Sequence, residues 1–277
     1  MKKIAFVIIS MGNSLFLEDM LNSLKDKKVI LVDNSSECKC KNLLGKYDIT
    51  YHHELIQSVS KARNAGAELV GDVDYVYFLD DDLTFGECWH QELNLFLESD
   101  DSFDLIGGRV KAVYSQELVL PEKYLYLVGE KNLGDSKREI ATDYVGGCNL
   151  LVKLETFRKL GGFDTHFGHK GASIGLNEDV VFQEQIRKNH GSVFYNPELA
   201  FVHHWRGSED DLLSRVRLQG RFDRQTDLET NKLRFVLRNI KYALFIALRM
   251  IRNADKDLTD VKYWDCLRYS AYLGGGK

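Results

Sequence analysis

Hydrophobic positions in the first half of the chain fall into short β-branched runs that alternate with amphipathic stretches. Ile4–Ser10 is an apolar run of strand length; Leu15–Leu24 follows at helical spacing, with Asn13 or Ser14 placed to cap it. Val29–Asp33 predicts a second strand, Ile49–His52 a third, Ser58–Val70 a helix and Tyr75–Asp80 a fourth strand. Cys88–Leu97 returns to helical period and Phe103–Ile106 to a strand. Strands apolar nearly throughout are buried on both faces. Their alternation with helices predicts an α/β domain with a mostly parallel central sheet flanked by helices. Such sheets bind ligands beyond the carboxyl ends of their strands, where Asp33 and the run Asp80-Asp81-Asp82 fall.

The second half is less regular. Tyr144–Val152 carries Gly146-Gly147 ahead of an apolar run, and Glu155–Leu160 is a short helix stopped by Gly161-Gly162. Phe163–Asn177, rich in Gly and His and without apolar period, predicts a mobile loop; Asp179–Lys188 predicts a helix capped by Asn177. Val193–Tyr195 and Ala200–His203 predict two strands on either side of Pro197, and from Glu209 onward the pattern is helical and basic.

Composition narrows the partners. A chain of 277 residues with 44% hydrophobic and 28% charged residues belongs with ordinary globular proteins, and a net charge of −4 gives no broad field for nucleic acid. The five cysteines include a C-x-C pair, Cys38 and Cys40, but no pairing with zinc spacing; reduced thiols in a cytoplasmic protein are expected. The first apolar run ends in Ser10-Met11-Gly12-Asn13 without a small-residue cleavage pattern, which favours a buried strand over a signal peptide. No apolar stretch is long enough to cross a bilayer.

Four constellations carry chemistry. Three adjacent carboxylates at the end of a buried strand repel one another, and a divalent cation would offset that cost. On extended backbone Asp80 and Asp82 face one way and Asp81 the other. Asn177-Glu178-Asp179 opens a helix, where acids suit the macrodipole and where a carboxylate can also serve as a general base. His203-His204 ends a strand; a neutral imidazole beside Asp82 and diphosphate oxygens would make a mixed site for Mn²⁺ or Mg²⁺. Arg63, in Lys61-Ala62-Arg63-Asn64-Ala65-Gly66, would favour a phosphate, and Gly66 would let helix and sheet approach closely.

Taken in order, these segments resemble the GT-A glycosyltransferases, particularly glycosyltransferase family 2 and, in the second half, the β-1,4-galactosyltransferase catalytic domain. The resemblance runs through Val32–Ser35, Ala62–Gly66, Leu79–Asp82 as a DxD motif, Tyr144–Gly147, Lys159–Asp164, Asn177–Asp179 and His203-His204, roughly from Lys3 to Trp205. It implies a GT-A catalytic domain over residues 1–207, with a nucleotide-sugar half to about 115 and an acceptor half from about 116, followed by a C-terminal helical extension over 208–277. By resemblance Asp33 contacts the nucleotide base, Asp80 the ribose or diphosphate, and Asp82 the metal, with His203 or His204 as second ligand. Gly146 and Gly147 let the backbone approach the donor sugar, Glu178 orients the acceptor and Asp179 is the base. The middle position of the DxD motif is also an acid, so the metal register can slip to Asp81.

The reaction so implied is inverting transfer of a hexosyl group from a nucleotide-diphosphate sugar, with UDP the expected nucleotide, to a hydroxyl of a glycan or lipid-linked acceptor. The glycine-rich stretch from Gly161 to Gly175 would close over the donor. Two rivals are a nucleotidyltransferase, against which the single glycine of Ser10–Ser14 counts, and a non-catalytic sugar-binding module, against which the Glu178-Asp179 pair counts. The mixture of basic and apolar residues over Lys232–Arg252 suggests either packing on the domain or a peripheral contact with the inner face of a membrane.

Overall fold

The structure, a computed structural model, describes residues 2–99, 101–168, 175, 177–230, 232–251 and 258–274. It forms two compact units, the first within residues 1–113, 129–173 and 177–205, the second within 114–128, 174–176 and 206–277.

The first unit is built on the strands β1 Ile4–Ser10, β2 Lys28–Asp33, β3 Thr50–His53, β4 Tyr75–Asp80, β5 Leu83–Phe85, β6 Leu105–Val113, β7 Arg138–Glu139, β8 Asn149–Lys153 and β9 Val193–His204. They form one sheet in the order β3-β2-β1-β4-β8-β6-β9-β5, with β7 against β9. The helices are α1 Leu17–Ser23, α2 Val59–Glu68, α3 Trp89–Glu98, α4 Leu154–Leu160 and α5 Glu178–Lys188. From β3 to β4 all pairings are parallel, and β6 and β9 are parallel as well. Strand β8 runs against both of its neighbours, and β5 and β7 against β9, so the sheet is mixed beyond β4. Strand direction leaves no mark on a hydrophobic pattern.

The side chains of β1 explain its unbroken apolar run. Phe6 and Ile8 face a core with Leu17, Met20, Trp89 and Leu93 of α1 and α3, while Ala5 and Val7 face the opposite core with Ala62, Phe157, Phe182 and Ile186 of α2, α4 and α5. Gly66 brings α2 onto the sheet: a Cβ there would fall 2.4 Å from Val7 Cγ1. Ser58 caps α2 by accepting the Lys61 N–H. Ser14 does not cap α1; its hydroxyl accepts the Phe16 N–H and donates to the Asp81 carbonyl.

The largest departure from the sequence pattern is β9, which is one strand and not two. Along its pairing with β6, Gly108 lies opposite Asn196 and Val110 opposite Phe201, so the chain from Pro197 to Ala200 bulges out. A bulge accommodates a proline that has no N–H to give the ladder. The two glycines of β6, Gly107 and Gly108, hide its true length, Leu105–Val113, from a hydrophobic scan.

The second unit holds a 3-10 turn, Glu122–Val128, and the helices α6 Glu209–Thr230, α7 Lys232–Ile251 and α8 Val261–Tyr272. Gly220 of α6 admits the α8 backbone, since a Cβ there would meet the Arg268 carbonyl oxygen. Asp227, 1% exposed, accepts from Tyr272 Oη at 2.9 Å and Arg238 at 2.8 Å and pairs with Arg234 at 2.7 Å. Among the described residues no helix is long and apolar enough to cross a membrane.

Candidate active site

The three acids at the end of β4 diverge to three partners. Asp80 Oδ1 accepts from Arg63 Nη2 at 3.1 Å. Asp81 Oδ2 accepts from Ser10 Oγ at 2.5 Å, at the end of β1. Asp82 faces His203: its Oδ1, buried and without a hydrogen-bond partner, lies 3.3 Å from His203 Nε2. Short strand β5 causes this meeting. It starts one residue after Asp82, sets Leu83 opposite His203, and lets the Asp82 carbonyl accept the His204 N–H at 2.9 Å.

The two histidines, alternating along β9, have different surroundings. His204 stacks on Phe16 with ring centroids 3.8 Å apart, and its Nε2 is 3.1 Å from Thr84 Oγ1. His203 is therefore the one beside an acid. Ligands about 2.1 Å from a small divalent cation, at right angles, stand about 3 Å apart, so the orphaned Asp82 oxygen and His203 Nε2 fit two adjacent ligand positions. Among the described residues no three His, Cys, Asp or Glu side chains gather in a metal-binding arrangement. The remaining positions on such an ion would fall to ligand oxygens and water.

Sequence reasoning sends Arg63 to a phosphate; the structure encloses it. Only 2% exposed, it donates to Glu178 Oε1 at 2.9 Å, to Asp80 and to the Gly147 carbonyl at 2.9 Å. One guanidinium thus ties the end of β4, the Gly146-Gly147 turn and the start of α5 together. Burial acts to lower its pKa, but the charges of Asp80, Glu178 and Asp179 outweigh that and raise it. The next residue, Asn64, clasps the Phe163 backbone, accepting its N–H at 2.9 Å and donating to its carbonyl at 2.9 Å.

Glu178 and Asp179 open α5, whose inward residues Phe182, Gln183 and Ile186 continue the same face. Gln183 holds the glycine turn to the helix by accepting the Val145 N–H at 2.9 Å and donating to the Val145 carbonyl at 3.0 Å. Gly147 then abuts Asp179, and a Cβ on it would fall 3.0 Å from Asp179 Oδ2. Its missing side chain makes room for the carboxylate, whereas Gly146 has no atom closer than 3.8 Å to a Cβ position. Burial first, and then the adjacent Glu178 charge, push the Asp179 pKa up to about 7 against the pull of Arg63. Asn177 holds the N-cap position expected of it, but with φ 73° and without a side-chain capping hydrogen bond; its carbonyl accepts the Val181 N–H at 2.9 Å.

Asp33, at the end of β2, is fully enclosed. It accepts from the Ser35 N–H and hydroxyl at 3.0 and 2.6 Å, the Cys40 N–H at 2.7 Å and Tyr51 Oη at 3.0 Å. Burial acts to raise its pKa, and these donors overcome it and lower the value. As placed, this carboxylate shapes the loop from Asn34 to Cys40.

Four groups at the site escaped sequence reasoning. Ser10 pairs in register with Asp33 across β1 and β2, a polar strand end that had been a visible signal. Cys148, buried in the glycine turn, senses Asp80, Asp82, Asp179 and Arg63, and burial with the acids raises its thiol pKa well above the usual value. Thr84 sits on the unpredicted β5. Lys131, partly buried, has its pKa lowered by burial, with Asp143 and Asp179 acting against the shift; a lone lysine in an irregular stretch gives no sequence signal. In the expected loop, residues 169–174 and 176 lie outside the described residues. Before them, the Phe167 carbonyl accepts from Ser60 Oγ at 2.9 Å, and Gly168 abuts Glu178.

Comparison with known proteins matches this arrangement to a family. Over 238 residues the chain is 28% identical to the glucosyl-dolichyl phosphate glucuronosyltransferase of Haloferax volcanii, covering 77% of this chain and 75% of that protein. Over 227 residues it is 26% identical to the pre-mycofactocin glycosyltransferase of Mycobacterium tuberculosis, covering 79% of this chain but 46% of that longer protein. Two solved structures share the fold. A mannosyltransferase from Pyrobaculum calidifontis in complex with GDP-Man and Mn²⁺ is 14% identical with TM-score 0.55, covering 98% of this chain and 70% of the other. GalNAc-T7 with UDP, GalNAc and Mn²⁺ is 15% identical with TM-score 0.54, covering 78% of this chain and 47% of the other. Residues 6–157, from the second residue of β1's buried run into α4, carry the sequence pattern of glycosyl transferase family 2. The chain belongs to glycosyl transferase family 2 and is a glycosyltransferase.

Proposed function

We propose that this glycosyltransferase moves a hexosyl group, with inversion, from a UDP-sugar to a hydroxyl of a glycan or lipid-linked acceptor, with Mn²⁺ or Mg²⁺ held by Asp82 and His203. The observation that carries the reading is the setting of Asp179: partly buried against Gly147, beside Glu178, with its pKa raised to about 7. A base matched to neutral pH suits removal of a proton from a poor nucleophile such as a sugar hydroxyl. In the reaction, the acceptor oxygen bonds to the anomeric carbon as the bond from that carbon to the diphosphate breaks, and the acceptor proton passes to Asp179. A divalent cation at Asp82 and His203 supplies Lewis-acid stabilisation of the charge on the departing diphosphate. Arg63 holds Glu178 toward the acceptor side and Asp80 toward the donor side. Asp33 supports the nucleotide pocket through the loop it orders.

The dolichyl phosphate in the name of the Haloferax relative favours a lipid-linked substrate. The motif resemblance to β-1,4-galactosyltransferases favours UDP as the nucleotide. Five free thiols suit the reducing cytoplasmic side of a membrane. A donor screen with product analysis tests the reading. Nucleoside diphosphate should be released only with Mn²⁺ or Mg²⁺, most strongly from a UDP-hexose, and Asp82→Ala should remove nearly all transfer. Full activity in excess chelator, or in Asp82→Ala, would overturn the metal assignment.

A further inference from the structure

Helix α7 has two apolar faces, and intramolecular packing uses one of them. On the inward face Tyr242 stacks on Tyr269 of α8 with ring centroids 3.8 Å apart, Phe245 meets the same ring edge-on, and Arg238 pairs with the buried Asp227 of α6. On the outward face Leu233, Val236, Leu237, Ile240, Leu244 and Leu248 are all exposed, Leu233 by 69% and Leu244 by 60%. With about 100° between successive residues, these six share one stripe opposite Tyr242. Isolated exposed leucines need no explanation, but a stripe running most of the length of a 20-residue helix does.

The charges on α7 identify what covers the stripe. The helix carries Lys232, Arg234, Arg238, Lys241 and Arg249 and not one Asp or Glu, in a chain whose net charge is −4. Arg238 and Arg249 turn toward Asp227 and Asp260. Lys232 and Lys241 are exposed and stand at the two edges of the stripe, where a long stem can lie along apolar surface and lift its ammonium to phosphate level. A second copy of the chain is a poor occupant, because two such stripes would bring lysine edges together with no acid on either helix. No helix among the described residues is fit to span a bilayer.

We infer that the outward face of α7 is a membrane-docking surface that lies in the interface of an anionic bilayer. The apolar stripe enters the boundary between headgroups and acyl chains, and the edge cations bind lipid phosphates. The inference rests on α7 alone and stands whether or not the proposed donor and metal are right.

The test is co-sedimentation of the full chain with vesicles of phosphatidylcholine alone and of phosphatidylcholine with phosphatidylglycerol. The expected result is binding to the anionic vesicles, weakened by salt and at least tenfold weaker on neutral ones. The double variant Ile240→Glu, Leu244→Glu should bind at least tenfold more weakly with an unchanged thermal midpoint. Lys232→Gln with Lys241→Gln, which leaves the stripe intact, should lose the preference for anionic lipid. Absence of binding to anionic vesicles, or equal binding by the Glu double variant, overturns the inference. So does concentration-dependent self-association in lipid-free buffer that the Glu variant abolishes, since the stripe would then belong to a second copy.

Discussion

Asp33, fully buried at the end of β2, and Asp179, partly buried at the start of α5, are two carboxylates of one unit whose pKa values move in opposite directions. Around Asp33 the chain supplies four donors, from Ser35 twice, Cys40 and Tyr51, so the ionised form is held and the pKa falls. Around Asp179 the hydrogen bond from Val180 N–H at 2.9 Å meets burial and a neighbouring acid, and the pKa rises to about 7. The more deeply buried of the two is the one whose pKa falls, so depth of burial alone says little about the role of a carboxylate. Donor supply decides whether it serves as a fixed support or remains able to take up a proton.

The sharpest way to break this comparison is Asp179→Asn, which keeps the shape and cannot accept a proton near neutral pH. Turnover should fall by about 10³-fold, equivalent to ~4 kcal/mol of barrier, with donor affinity near normal. Because ionised Asp179 is held in an unfavourable setting, the same variant should be more stable than the parent at pH 8, by about 1–3 kcal/mol in urea unfolding. Normal turnover would place the base elsewhere. Asp33→Ala should do the reverse. It leaves buried N–H groups of Ser35 and Cys40 without their acceptor, which costs about 2–3 kcal/mol of stability. A stability equal to the parent's would show that the loop does not depend on this acid.

A pH series separates the two acids in one protein. Between pH 3.8 and about 7 the native state retains a proton on Asp179 that the unfolded state has lost. Stability from this group therefore declines as pH rises through that window, by at most ~1.4 kcal/mol per unit. Asp33, with its lowered pKa, gives stability that is fully present above 3.8 and is lost as pH falls below it. Activity should follow Asp179 alone, kcat/KM falling about tenfold per unit below pH 7. In Asp179→Asn the stability slope between pH 4 and 7 should flatten; an unchanged slope would assign it to other groups.

The strands β1, β2 and β4 were readable in the sequence because they are buried on both faces and their apolar runs are unbroken. What escaped were features set by pairing. Strand β5 is too short for any periodicity, yet its register with β9 is what brings His203 to Asp82 and leaves His204 with Phe16 and Thr84. Spacing alone left those two histidines equivalent. The acid pair at α5 was visible as residues, but the opposing Arg63 was not, since a basic residue in a helix reads as a solvated face or a phosphate ligand until the fold brings Glu178, Asp80 and the Gly147 carbonyl to it. The contact of Gly147 with Asp179 was hidden for the same reason: the sequence displays a glycine and conceals which atoms fill the space beside it.

The smallest expected effect concerns the neighbour that helps to raise Asp179. Glu178→Gln keeps an oxygen for Arg63 Nη1, which now lies 2.9 Å from Glu178 Oε1, so the tie between α2 and α5 persists. What disappears is one negative charge next to Asp179. Its pKa should then fall, and the midpoint of the kcat/KM profile should move to lower pH, by up to about one unit. Above pH 8 Asp179 is ionised in both proteins, so turnover at saturating acceptor should change little. The acceptor Michaelis constant should rise there, because Glu178 is proposed to orient the acceptor hydroxyl. The two readouts come apart: a merely structural role for Glu178 would lower turnover at every pH and leave the midpoint where it was. A midpoint that stays put or moves upward would mean that burial by itself sets the Asp179 pKa.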